Sequence, residues 1–137
     1  MSTTLTQARE AIYERFAAAW GSTTPIAFDN EAFTPPEDAP WVRLVVRHTT
    51  REQETLGGLG QRNFMSRGQC FVQCFVQPDQ GTEAADALAQ QARTIFEGTS
   101  FATDVRFTSV AVTEIGPDPQ GWFQVNAVGV FQYDERK

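Results

Sequence analysis

The sequence predicts an α+β domain: about four antiparallel strands from two hairpins, with two helices packed on one face of the sheet. Three observations carry this. The stretch Arg62 to Pro78 alternates in its second half, with Cys70, Val72, Cys74 and Val76 on one side and Gln69, Phe71, Gln73, Phe75 and Gln77 on the other. Period two with β-branched and aromatic residues is a strand pattern. Two separate segments repeat apolar residues every three or four positions, the mark of helices with one buried face. Gly116-Pro117-Asp118-Pro119-Gln120-Gly121 is a dense turn between two further alternating runs.

In chain order, Thr4 to Trp20 reads as the first helix. Leu5, Ala8, Ile12, Phe16 and Ala19 line one face, Thr4 and Gln7 have the form of a capping box, and Gly21 supplies the end. Ser22 to Pro40 holds Pro25, Pro35, Pro36 and Pro40, which exclude helix and imply extended chain or turns, with Phe28 and Phe33 pinning the crossing to the body. Trp41 to Thr50 follows as a strand with Val42, Leu44 and Val46 on one face and Arg43, Val45 and Arg47 on the other. Arg51 to Gln61, with three glycines, reads as a mobile loop that protrudes from the long end of a hairpin. The strand Arg62 to Pro78 leads through the turn Asp79-Gln80-Gly81 to a second helix, Thr82 to Glu97. Its apolar side is Ala84, Ala85, Leu88, Ala92, Ile95 and Phe96, and Gly98 ends it. Val105 to Ile115 and Trp122 to Tyr133 form the second hairpin, and Asp134 to Lys137 read as frayed. The whole, residues 1–137, falls in the size range of one domain.

Composition narrows the function classes. With 41% hydrophobic residues and 12% aromatics the chain can build a core, and no apolar run approaches a membrane span. The N-terminal residues lack the basic-then-apolar pattern of a secretory signal, so the expected compartment is a cytoplasm. Net charge is −6, which disfavours broad binding to a nucleic-acid backbone. Its distribution is uneven. Trp41 to Gln77 holds five arginines and two acids, net +3, while the remainder holds six basic and fifteen acidic residues, net −9. A basic, arginine-bearing segment on an acidic body suits self-association.

No catalytic, cofactor or metal site emerges. Cys70 and Cys74 lie four residues apart on a strand, about 13 Å, too far to bridge each other. With His48 they supply at most three soft ligands, and they read as small buried residues. His48, at a strand end, is expected to face solvent, and no nucleophile elbow accompanies it. The Gly57-Gly58-Leu59-Gly60 run is followed by a strand rather than by a helix N-terminus, so it is a loop and not a phosphate cradle. The carboxylates sit in loops, a helix start and the tail, and none are paired in an apolar cleft.

Taken in order, Pro25-Ile26-Ala27-Phe28-Asp29-Asn30, Phe33-Thr34-Pro35-Pro36, Trp41-Val42-Arg43-Leu44, Thr55-Leu56-Gly57, Gly60-Gln61-Arg62-Asn63-Phe64, Arg67-Gly68, Gln73-x-Phe75 and the Pro78 to Gly81 turn resemble the tail terminator-like family of small tailed-phage proteins. The resemblance runs from about Pro25 to Tyr133. It implies a virion protein, not an enzyme and without cofactors, assembled in the bacterial host cytoplasm into a homohexameric ring. Such a ring caps the tail tube, ends its growth and presents a surface to the head-side neck or connector protein, while DNA passes through unread. Trp41, Arg43, Arg47, Arg51, Gly57, Gly58, Gly60, Arg62 and Arg67 are the residues expected at the subunit interface. A neighbouring neck, connector or tail-tube subunit is the alternative within structural proteins. The other class is a small-molecule-binding module with a pocket between helices and sheet, which a ligand-dependent rise in melting temperature would reveal.

Overall fold

The computed structural model describes residues 2–98, 101 and 103–137. Helix α1 (Leu5–Trp20) is followed by β1 (Ile26–Phe28), β2 (Trp41–Gln53), β3 (Asn63–Val76), α2 (Glu83–Phe96), β4 (Arg106–Pro117) and β5 (Phe123–Arg136). One five-stranded sheet runs in the order β1-β2-β3-β5-β4. The two expected hairpins are present and join through an antiparallel β3–β5 ladder from Asn63↔Arg136 to Val76↔Phe123.

The sheet is mixed and has five strands, where the sequence predicts an antiparallel sheet of four. The additional strand is β1, parallel to β2 with Ile26 opposite Val42 and Phe28 opposite Leu44. Three residues are too few to display period two. Pro25 has no donor to give, yet its carbonyl accepts from the Val42 N–H at 3.1 Å, so the extended chain expected around the proline is drawn into the sheet as a strand.

Both helices pack on the face bearing Val42, Leu44 and Val46 of β2, Cys70, Val72, Cys74 and Val76 of β3, and Val125, Ala127, Phe131 and Tyr133 of β5. Thr4 caps α1, accepting from the Gln7 N–H at 3.2 Å while the Gln7 side chain accepts from the Thr4 N–H at 3.0 Å. The buried stripe of α1 is Ala8, Ile12, Phe16 and Trp20; Leu5 and Ala19 turn outward. Strict spacing by four selects Trp20 over Ala19, and the indole N–H finds Thr24 Oγ1 at 3.1 Å. In α2, Ala85, Ala89 and Ala92 are fully buried, so the helix axis can approach the sheet closely. A row of rings ties the layers together: Trp20 on Phe16 (5.0 Å), Phe16 on Phe96 (6.0 Å), Phe96 on Phe107 (4.7 Å) and Phe107 on Phe131 (5.8 Å). Two glycines make room for it. A Cβ at Gly129 would lie 2.6 Å from the Phe107 ring, and one at Gly68 would lie 2.6 Å from that of Phe131.

Two sequence expectations, on the tail and on the length of the hairpin loop, differ from the structure. The tail does not fray: β5 extends to Arg136, and Lys137 and Arg62 exchange backbone hydrogen bonds at 3.0 and 3.1 Å. Along the other edge of β5, the Thr3 N–H donates to the Asp134 carbonyl at 2.9 Å and the Arg136 N–H to Ser2 Oγ at 3.0 Å. The hairpin loop is also shorter than expected, because β2 remains paired as far as Gln53↔Phe64. At its base the Glu54 N–H donates to the Asn63 carbonyl at 2.8 Å, and the Asn63 N–H donates to Thr55 Oγ1 at 2.9 Å. Nothing in an alternating pattern indicates that three strands and the N-terminal segment end together and bond one another there.

Candidate assembly surfaces

The expected interface residues divide by what holds them. Arg47 is ion-paired to Asp29, and the guanidinium holds the Asp29 carboxyl below the usual carboxylate range. Arg51 donates to Glu135 Oε1 at 2.9 Å and to Ser66 Oγ at 3.2 Å, and lies over the Phe64 ring. Arg62 Nε donates to the Gly57 carbonyl at 3.0 Å, bracing the loop from inside. Arg43 lies over the rings of Trp41 and Phe75, 5.2 and 5.9 Å from their centroids. Arg67 is exposed, and among the described residues its side chain makes no ion pair. The charge imbalance read from sequence is therefore partly neutralised within the protomer.

Trp41 is 2% exposed. With Ala27 and Phe75 it forms a second, smaller cluster on the face away from the helices, closed by Phe33 and Trp122. The Trp41 and Phe75 rings stack at 4.2 Å, and Trp122 meets Trp41 edge-on at 6.0 Å. The indole thus serves as a platform for Arg43.

Gly57, Gly58 and Gly60 shape the β2–β3 tip: the Gln61 N–H closes a turn onto the Gly58 carbonyl at 3.0 Å, and Gly60 sits at φ 85°. Beside these glycines the tip displays two side chains that the sequence reading did not single out. Leu56 is 95% exposed and Leu59 87%. The available signal was negative: two leucines flanking and interrupting a glycine run, in phase with no strand or helix face.

At the opposite end of the sheet, the β3–α2 and β4–β5 turns enclose an apolar cleft of about 410 Å³, lined by Pro78, Gly81, Thr82, Pro117, Trp122 and Phe123 among others. A neighbouring cleft of about 440 Å³ shares Pro78 and Trp122 and reaches Glu37. Hydrogen bonds brace the β4–β5 wall. Asp118 Oδ1 accepts from the N–H groups of Gln120 and Trp122 at 2.9 and 2.8 Å, and the Asp118 N–H donates to the Trp122 carbonyl at 2.7 Å.

His48 was expected to face water; its ring instead turns inward. It shares the even-numbered face of β2 with Val42, Leu44 and Val46, opposite Gly68 of β3. The imidazole meets Phe131 and Tyr133 edge-on at 5.6 Å each, and neither ring nitrogen has a partner among the described residues. Burial lowers its pKa from 6.5, and Arg9 adds to the effect. The unfolded chain then takes up the proton first, so stability falls as pH drops below about 6.5 toward the folded pKa. Thermal melts between about pH 7.5 and about pH 5 should show a steeper acid loss in the native chain than in His48→Leu. Parallel profiles would show that this ring carries none of the acid sensitivity.

Cys70 and Cys74 are free and buried. Burial pushes the Cys70 thiol up and the Cys74 thiol up to about 12, so both pack as neutral hydrophobes. Among the described residues no group of three His, Cys, Asp or Glu side chains could hold a metal ion, and no helix is long and apolar enough to cross a membrane.

Comparison with known proteins bears on these surfaces. No curated protein sequence matches the chain. A solved structure 18% identical to it superposes with a TM-score of 0.68 over 96% of each chain, so the architecture recurs. Residues 7–128 match the family described as phage tail terminator protein. With most of its length inside that match, this chain belongs to the phage tail terminator family, and it is a structural component of the phage tail.

Proposed function

We propose that six copies of this 137-residue domain close into a ring that caps the tail tube, stops its growth and offers its other side to the head-side neck or connector. Family membership over residues 7–128 is the observation that carries this reading. The protomer is built for it in two respects. A five-stranded sheet with strands of up to fourteen residues holds two ends apart, each with its own surface, as a heterologous ring contact requires. The net charge of −6 suits a lumen through which DNA slides without being gripped. The ring would assemble in the host cytoplasm and remain in the virion. Arg43 and Arg67, neither in an ion pair among the described residues, are the first of the expected interface arginines to test; Arg47, Arg51 and Arg62 act through the loops and strands they brace.

Native mass spectrometry of the purified chain, alone and with tail tubes, should give a species six times the 15.2 kDa protomer mass. In micrographs it should sit at the head-proximal tube end. A chain that stays monomeric even beside tubes would overturn the ring.

A further inference from the structure

We propose that neighbouring copies join by a plug and a socket: the Leu56/Leu59 tip of one copy inserts into the cleft between the β3–α2 and β4–β5 turns of the next. The inference rests on the ring reading, since it names the contact that builds the ring.

Among the described residues the tip carries the two most exposed large apolar side chains, at 95% and 87%. It is not a loose loop; Arg62, Asn63 and Lys137 hold its base by hydrogen bonds. Ordering two leucines in water on a braced turn gains nothing within the protomer, so the gain has to come from a partner. The protomer cannot supply that partner itself. Fourteen residues of β3 separate the tip from the cleft, roughly 40 Å at the rise of an extended strand.

The cleft offers what branched side chains need. Pro78, Pro117, Trp122 and Phe123 give apolar walls around about 410 Å³. The side-chain bonds of Asp118 fix the β4–β5 wall in advance, so little ordering is required on binding.

Charge points the same way. Glu37, Asp38, Asp79, Glu83, Asp86 and Asp118 lie in or beside the turns at the cleft end and outnumber Arg43, which lines the adjoining surface with Asp118 and Gln120. Around the tip, Arg62, Arg67, Arg136 and Lys137 outnumber Glu52 and Glu54, while Glu135 and Asp134 are paired to Arg51 and Arg106. An acidic socket end and a basic plug end match head to tail and repel head to head. A contact between two different patches is heterologous, the kind that generates rings when the rotation closes.

Two variants test it. Leu56→Ser/Leu59→Ser disables the plug at exposed positions and leaves the fold intact. Thr82→Phe fills the socket at a residue whose side chain makes no capping bond. Each alone should raise the dissociation constant of self-association at least about 100-fold, with the melting temperature of the protomer unchanged. Mixed, they should form a one-to-one dimer, because only one good plug and one good socket remain. The measurement is native mass spectrometry, with tail tubes present if the free chain does not assemble. Assembly of either variant at native strength, or failure of the mixture to pair, overturns the plug and socket while leaving the ring standing. Intact rings of the leucine variant that no longer cap tubes would assign the tip to the tube and overturn the inference equally. A native chain that never associates removes the ring and this contact together.

Discussion

Phe16→Ala is expected to cost about 3–5 kcal/mol of unfolding free energy, the usual range for deleting a fully buried aromatic ring. Phe16 is 0% exposed and stands between Trp20 and Phe96, so its ring bridges α1 to α2 in the row that continues through Phe107 to Phe131. Alanine there loses the transfer free energy of the ring and leaves a void that Trp20 cannot collapse into, because its indole is held by Thr24. The loss is a large share of the ~5–15 kcal/mol that holds a domain together. Urea unfolding followed by tryptophan fluorescence would measure it, since Trp20 lies in the affected row. A cost below about 1 kcal/mol would mean that α1 repacks freely and that the row of rings does not join the layers. The ring lies on the helix-covered face, away from both the leucine tip and the turn cleft. A Phe16→Ala chain kept cold enough to stay folded should therefore still self-associate, which separates fold stability from assembly.

Most of the helix-covered face was legible in the sequence, because burial on one side writes a period. The even-numbered residues of β2 and β3, the Thr4–Gln7 cap and the two hairpins all follow from alternation, capping chemistry and turn residues. What was not legible depended on partners distant in sequence. The strand β1 is three residues long and exists because β2 offers it a free edge. The order of the tail depends on Asn63, Arg62 and Ser2, none near it in sequence. His48 illustrates both sides: its parity placed it on the buried face, but its polarity argued for solvent, and the packing of Phe131 and Tyr133 prevailed. For the candidate surfaces, charge counting identified the arginine-bearing segment. It could not show that Asp29 and Glu135 pair with Arg47 and Arg51, since those acids arrive from other strands and loops. Leu56 and Leu59 carry no period, and only exposure in the folded chain sets them apart.

Gly68→Ala should be the second severe substitution, at about 3 kcal/mol, the upper part of the range for overpacking. A Cβ at this position would overlap the Arg47 carbonyl oxygen and lie 2.6 and 3.0 Å from two carbons of the Phe131 ring. The ring could move at some cost; the carbonyl belongs to the β2 backbone beside the bulge between His48 and Thr50, and can move only if the strand does. A double-mutant cycle with Phe131→Leu separates the two obstacles. Relief of the ring contact should appear as a coupling of about 1 kcal/mol, with the larger part of the Gly68→Ala cost persisting because the backbone overlap remains. Full rescue by Phe131→Leu would show that the strand is not the constraint. Because β2 runs on from this bulge to the Leu56/Leu59 tip, a shift of the strand there re-aims the tip. Gly68→Ala should therefore weaken self-association even under conditions where it stays folded, whereas Phe16→Ala should not. Comparing the two chains at equal folded fraction by native mass spectrometry makes the difference measurable. Equal association would mean that the arm beyond the bulge takes no direction from Gly68.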